Sequence, residues 1–283
     1  MAVQFINVGL DVNYSLGRGM GSLSYAVACV VVGRQAAALG VETVLITHAV
    51  LLVLLVAAVL AYPTFPQQSL PTRQRAERPH SVVSILRQSP AFTLMLVASF
   101  FAMVAVLPIV SFMVTIIGER GGDAGWLGLA LFLVGASEFP AAILFHRLWR
   151  RLGSRKMMVV AISFMALRAL LTLLAPNVFW TLAVQPVQML GYGFFTPASV
   201  YFANENVSVA DRVRGQSVMM VASNGLGGVV GNLIAGYAID FGGVNAMMTV
   251  LTACGVIGIL LAAAAVRMAG TPANARGEGR VMD

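Results

Sequence analysis

The sequence predicts an all-α fold, a polytopic transmembrane helix bundle of about eight spans, and three observations carry that expectation. Of the 283 residues, 59% are apolar and only 10% are charged, against about a quarter charged in a soluble domain. The apolar residues come in runs long enough to cross a hydrocarbon core, which takes roughly 20 residues of helix. The basic residues gather in alternate breaks between those runs, which is the signature of cytoplasmic loops.

In chain order, residues 16–38 and 42–62 form the first two spans. A polar stretch, 63–88, follows; it holds Arg73, Arg75, Arg78 and Arg87 among Pro66, Pro71 and Pro79, and composition makes it a linker. Spans three and four cover 89–117 and 125–145. The break HRLWRRLGSRK separates the fourth from the fifth, 156–174. The sixth, seventh and eighth spans cover 178–204, 214–239 and 243–266. Outer turns are short, so neighbours in sequence form antiparallel hairpins.

Loop charge sets the orientation. The linker arginines, then Arg147, Arg150, Arg151, Arg155 and Lys156, then Arg212 and Arg214, and last Arg267, Arg276 and Arg280 fall in alternate breaks. The opposite turns hold only Arg34 and Arg120. Eight spans with this alternation place both ends in the cytoplasm of a protein spanning the inner (cytoplasmic) membrane many times.

Several classes are argued against. Cys29 and Cys254 stand far apart inside apolar runs, which supports neither a disulfide framework nor a metal site; they read as packing residues. The net charge of +7 is spread over loops rather than over a surface for nucleic acid. The first 18 residues lack the pattern of a signal peptide. SLGRGMGS and Gly225-Leu-Gly-Gly have neither the preceding strand nor the lysine of a phosphate-binding loop. Gly135-Ala-Ser137-Glu has the short outline of an intramembrane serine protease, but its base would have to be a buried His, and with His146 among surface arginines only His48 is available, so the match is weak. No enzyme chemistry and no cofactor is expected.

Ionisable groups at membrane depth mark candidate functional sites. Glu138 is about 12 Å along the helix from His146, and Arg168 roughly 18 Å from Lys156, at 1.5 Å per residue. On antiparallel neighbours they would lie within reach of one another, so an Arg168–Glu138 pair is expected, either as part of a transport pathway or as a static ion pair. Gln185 and Gln188 share a helix face that Tyr192 continues. These polar groups suit either a hydroxylated or carboxylated solute or hydrogen bonding between helices. Asn224 and Asn232 carry the same two readings. His48 is expected to pack or hydrogen-bond within the bundle. Gly17 with Gly21, and Gly227 with Gly231 and Ala235, have the spacing of close helix contacts. Pro108, Pro140, Pro186 and Pro197 should kink their helices.

Three stretches resemble the major facilitator superfamily, in particular its oligosaccharide:proton symporter branch, typified by lactose permease. NYSLGRGMGSLSYAVA is similar to the entry into that branch's fifth helix. HRLWRRLGSRKMMVVAISFMALR is similar to the basic loop between its eighth and ninth helices, buried arginine included. SEFP is similar to its acidic eighth-helix segment. The resemblance implies secondary active transport, by alternating access, of a small polar solute such as a sugar, together with protons. It implies a solute-contacting role for Arg18, and a proton-coupling role for Arg168 and, about one turn from the family position, for Glu138. With Gln185, Gln188, Tyr192 and Asn224 these residues would line the cavity. Gln185, Gln188 and Gly191 stand where lactose permease has Lys, His and Glu, which argues against lactose and its proton relay.

The likeness begins at the end of the family's fourth helix. It implies a remnant of an N-terminal transporter half in 1–62, a cytoplasmic linker in 63–88, a C-terminal six-helix half in 89–268 and a cytoplasmic tail in 269–283. The carboxylate partner of the family's fifth-helix arginine is absent, and Asp11 is the only nearby acid. Such a chain is expected to be a gene fragment, a partial assembly product or a chain needing a complementary N-terminal fragment. The alternative to transport is a membrane fragment acting through helix–helix association. Its surroundings are a lipid bilayer in either case.

Overall fold

A computed structural model describes residues 14–40, 42–61, 80–123, 125–208 and 211–269. Among them there is no strand. The elements are α1 (Tyr14–Leu39), α2 (Glu42–Leu60), α3 (Val82–Gln88), α4 (Pro90–Ser111), α5 (Met113–Glu119), α6 (Trp126–Leu174) and α7 (Val178–Val184). A 3-10 segment (Gln185–Met189) leads to α8 (Tyr192–Asn206). Then come α9 (Arg212–Met220), a π-helical segment (Val221–Gly227) and α10 (Gly228–Ala269).

Four helical stretches among the described residues are long and apolar enough to cross a membrane: Glu42–Leu60, Pro90–Ser111, Trp126–Leu174 and Arg212–Met268. The last two hold 49 and 57 residues. At 1.5 Å per residue each far exceeds a hydrocarbon core of about 30 Å, which leaves length for more than one crossing. Glycines make the breaks. Gly153 has φ 73° and ψ 167°, and Gly243 has φ 68° and ψ −167° behind an extended Gly242. Only glycine adopts that positive-φ extended region cheaply. Each break divides its stretch into two helices, and the helices before and after Gly153 hold the stretches expected at 125–145 and 156–174.

The surface confirms lipid as the solvent. In α2 no residue is buried, and its apolar window has a mean hydropathy of 2.7. Leucines, valines and aromatics are exposed along α1, α2, α6 and α10, a surface no water-soluble protein tolerates. His48 lies on exposed α2, so the expectation that it packs inside the bundle is corrected: α2 meets α1 and leaves the rest of its circumference uncovered.

The interior is built on α4, which lies between α10 and α6. Glycines allow the close approach. A Cβ on Gly255 would come within 2.9 Å of the Ala166 backbone, and one on Gly231 within 3.0 Å of Val104 Cα. One core holds Phe92, Phe145, Phe194, Phe195 and Phe202 with Met157, Met158 and Met165. A second holds Ile109, Met113, Ile116, Met247, Met248 and Leu251. Pro108 lies inside α4, which ends at Ser111, and α5 restarts at Met113.

Both rims are tied by side chains. At one rim, Arg120 at the end of α5 donates to Leu173 O (3.1 Å) and Asn245 Oδ1 (2.7 Å). Its neighbour Glu119 accepts the Val244 amide at 3.0 Å, directly after the Gly243 break. At the other rim, residues 82–88 form α3 rather than the linker expected there. Ser81 caps α3 through the Ser84 amide, and Ile85 is buried. His80 meets Asp211 twice, through its backbone amide and through Nδ1, each at 2.8 Å. Asp211 also accepts from Ser208 at 2.7 Å. The hydrogen bond from Ser208, with those from His80, holds the Asp211 carboxyl below the usual carboxylate range although burial opposes them.

Candidate functional site

Glu138 lies on the first half of α6, where two glycines let neighbours come close. On one side a Cβ on Gly135 would lie 3.1 Å from Ala26 Cβ and Tyr25 Cδ1, and 3.2 Å from Ser22 O. α1 therefore packs directly on this turn. On the other side, a Cβ on Gly193 would lie 2.8 Å from Ala141 Cβ and 3.9 Å from Glu138 Cα. The broken helix of Gln185–Met189 and α8 thus abuts the same turn of α6.

The carboxylate accepts a hydrogen bond from Ser22 Oγ at 2.7 Å. A cavity of about 340 Å³ opens there, lined by Gly21, Ser22, Tyr25, Val134, Gly135 and Glu138. Sequence reasoning singled out Glu138 but missed Ser22 and Tyr25. Ser22 sits in the very stretch, SLGRGMGS, dismissed as a phosphate loop. Its spacing of four from Arg18 would have placed it one turn along the same face.

Arg168, on the second half of α6, has no exposed surface. Its guanidinium donates to Gln188 Oε1 at 2.5 Å and to Gln185 Oε1 at 2.6 Å. Gln185 in turn donates to Thr181 O at 2.7 Å. The expected Arg168–Glu138 pair is corrected here: Glu138 acts on Arg168 electrostatically, but the hydrogen bonds go to the two amides. Arg168 Nε is buried without a hydrogen-bond partner.

The two glutamines can serve one guanidinium because of the helix type. Pro186 removes a backbone donor and Gly191 leaves helical ψ, and the segment between winds as a 3-10 helix. In that helix residues three apart eclipse, so Gln185 and Gln188 stack on one side.

Tyr192 and Asn224 meet each other. Tyr192 Oη donates to Asn224 Oδ1 at 3.1 Å, which links the start of α8 to the π-helical segment Val221–Gly227. Asn232 does not share this role. Its amide donates to Gly228 O, and its Oδ1 is buried without a partner. The extra residue per turn of the π segment rotates Asn232 away from the direction that α-helical spacing gives it. Arg18 lies in α1, but its side chain falls outside the described residues, as does Asp11.

The site therefore has two parts on two sides of one broken helix. A carboxylate with a hydroxyl partner lines a cavity between α1 and α6. A buried cation holds the 3-10 segment by two amides. The chemistry available is hydrogen bonding to a polar solute. Among the described residues no cluster of His, Cys, Asp or Glu could hold a metal ion.

Known proteins resemble the chain in sequence and in fold. Maltose permease of Geobacillus stearothermophilus is 29% identical over 253 residues, covering 88% of this chain and 62% of that protein. The chain thus spans less than two thirds of that curated relative's length. Two crystal structures of nucleoside transporter NupG, one of them a point mutant, share the fold. The mutant superposes with a TM-score of 0.67 at 20% identity, over 93% of this chain and 70% of that one. The other gives 0.63 at 21%, over 95% and 71%. A family model described as "MFS_1 like family" matches residues 9–250. With apolar helices facing lipid and that match across most of its length, the chain is a multi-pass membrane protein belonging to the MFS_1-like family of the major facilitator superfamily.

Proposed function

We propose that the chain acts in secondary active transport of a small polar solute, a sugar, coupled to protons by alternating access. Glu138 is the group that takes up the proton. The observation carrying this reading is a carboxylate on a membrane helix that lines a cavity and holds the Ser22 hydroxyl of a second helix. A carboxylate is kept within a bilayer where it faces a polar space or a pathway.

Protonation changes that carboxyl from a pure acceptor into a donor as well. The bond from Ser22 is then made to a neutral group and is weaker, and Arg168 loses the countercharge that acts on it. One proton thereby biases two contacts on opposite sides of the α6 turn. A ligand or proton shifts an equilibrium only by its differential affinity for the two states, and these contacts are where the difference arises. Gln185 and Gln188 contribute by fixing the broken helix around Arg168. Tyr192, Asn224 and, from the resemblance, Arg18 supply solute contacts.

A sugar is favoured by the maltose permease relative. A cavity of about 340 Å³, bearing hydroxyl and carboxylate groups, suits a solute rich in hydroxyls. The alternation of loop arginines supports eight spans with both ends in the cytoplasm, and hence residence in the inner membrane.

The test is uptake of radiolabelled maltose into proteoliposomes holding the 283-residue chain, with and without an imposed pH gradient. The reading expects accumulation that follows the gradient, and exchange without accumulation in Glu138→Gln. Accumulation by Glu138→Gln at the native level would overturn the role of Glu138. Absence of any uptake above protein-free vesicles, tried with maltose and other sugars, would overturn transport by this chain.

A further inference from the structure

The end of α6's first half carries Arg147, Arg150 and Arg151, and Lys156 opens its second half after the Gly153 break. All four are exposed. Among the described residues none of their side chains has a hydrogen bond or an ion pair. The two described carboxylates at this rim are already engaged: Glu205 accepts from Ser154, and Asp211 accepts from His80 and Ser208.

The direction these cations face is set by helix geometry. Arg147 is nine residues beyond Glu138, which is two and a half turns at 3.6 residues per turn. It therefore lies on the face of α6 opposite Glu138 and its cavity. Pro140, Ile143, Arg147, Arg150 and Arg151 follow the i, i+3, i+4 spacing of one helix stripe. Every member is exposed, Ile143 at 53%. The stripe is apolar up to Ile143 and cationic one turn later. Lys156 repeats the arrangement on the second half. It heads a stripe through Val160 and Ser163 to the exposed Leu167, Leu170 and Leu174. A surface that faces acyl chains thus turns cationic at the depth where phosphate headgroups begin.

The stretch is also fixed in place. Trp149 stacks on Tyr201 at 4.5 Å, Tyr201 stacks on Phe145 at 6.0 Å, and His146 packs on Trp149 at 5.7 Å. The aromatics hold the inner side of the helix end, so the arginines are presented outward from a rigid base.

We infer that the cationic rim carried by Arg147, Arg150 and Arg151 on the first half of α6 and by Lys156 on the second binds the headgroups of anionic phospholipids. The partner is a lipid of the surrounding bilayer whose acyl chain lies along Ile143 while its phosphate meets the cations. Clusters of Lys and Arg just beyond a membrane helix attract anionic lipid in this way, by about 1 kcal/mol per cation, or roughly fivefold each. The inference requires membrane insertion only and stands apart from transport.

Trp149 is a built-in reporter. Trp126→Phe with Trp180→Phe leaves it as the single tryptophan, since the chain has three. The protein is reconstituted with brominated phosphatidylglycerol or brominated phosphatidylcholine at equal mole fractions. The expected result is quenching that favours phosphatidylglycerol about fivefold or more, weakened by molar salt. The preference should vanish in Arg147→Gln/Arg150→Gln/Arg151→Gln and persist in the matching Lys variant. Equal quenching by the two lipids in the otherwise native chain overturns the inference, whether or not the Gln variant folds. So does a preference that survives in the Gln variant. Displacement of brominated phosphatidylglycerol by millimolar glycerol phosphate also overturns it, by assigning the site to a free phosphate.

Discussion

Arg168 donates to Gln188 at 2.5 Å with no part of its side chain exposed. The cation is solvated by amides of a 3-10 segment rather than by a carboxylate. Gln188→Leu should cost roughly 1–3 kcal/mol, the price of stranding a buried donor. Losing Gln185 as well should cost about 3–5 kcal/mol, because the charge is then buried without a partner. Adding Arg168→Leu to that pair should recover much of the loss, since an apolar replacement of all partners is near neutral. Chemical unfolding in detergent would check the series; no recovery would mean that the amides hold the segment independently of the charge.

Asp211 makes the second prediction. Its carboxyl sits below the usual range because Ser208 and His80 hydrogen-bond to it. A depressed carboxylate stabilises the fold above its unfolded pKa, and that stability is lost as pH falls through the folded value. Melting temperature should therefore be level from neutral pH down to about pH 5 as far as this group is concerned, and should fall below about pH 4. Asp211→Asn should melt lower at neutral pH and show a flatter acid limb. Parallel profiles for the two proteins would remove Asp211 from the account.

Gly135 tests the contact between α1 and α6. Its Cβ position is 3.1 Å from both Tyr25 and Ala26, so a large side chain must push α1 away. Gly135→Leu should cost about 1–3 kcal/mol and break the Ser22–Glu138 bond. Gly135→Ala should be milder. A disulfide probe, Ser22→Cys with Glu138→Cys, should form in the native background and fail beside Gly135→Leu.

The Gly243 break gives a fourth. Gly243→Ala forces a Cβ at φ 68° to within 3.0 Å of Glu119 Oε1, and should cost roughly 1–3 kcal/mol in strain. Glu119→Ala removes the acceptor of the Val244 amide and should cost about 0.5–2 kcal/mol, as a lost helix cap does. The two losses should be less than additive, because both act on one turn. Thermal unfolding of the single and double variants measures this.

Much of this fold was legible because lipid imposes simple rules. Run length fixed where helices lie, and the apolar run of α2 matched its bare surface. Glu138 and Arg168 stood out because charge is costly at their depth. The partners were not legible. Ser22 and Glu138 lie 116 residues apart, and His80 and Asp211 lie 131 apart; neither contact leaves a periodic trace. Gln185 and Gln188 were read on one face of an α-helix, either as solute contacts or as hydrogen bonds between helices, and the second reading is the one the Arg168 contacts match. Pro186 was noted only as a kink, yet it winds that turn into a 3-10 helix and so delivers both amides to Arg168. The π segment around Asn224 has no sequence signature at all, and it alone separates Asn224 from Asn232. The helix over 82–88 was hidden by its arginine and the prolines before it.

The central claim is that Glu138 faces a polar cavity in the membrane, open to solute from one side. A Glu138→Cys variant, with Cys29→Ser and Cys254→Ala to remove native thiols, measures this directly in proteoliposomes. Reaction with a membrane-impermeant thiol reagent, slowed by the transported sugar, is the result predicted. A thiol as inert as one placed by Ala98→Cys in the sealed core would contradict the account.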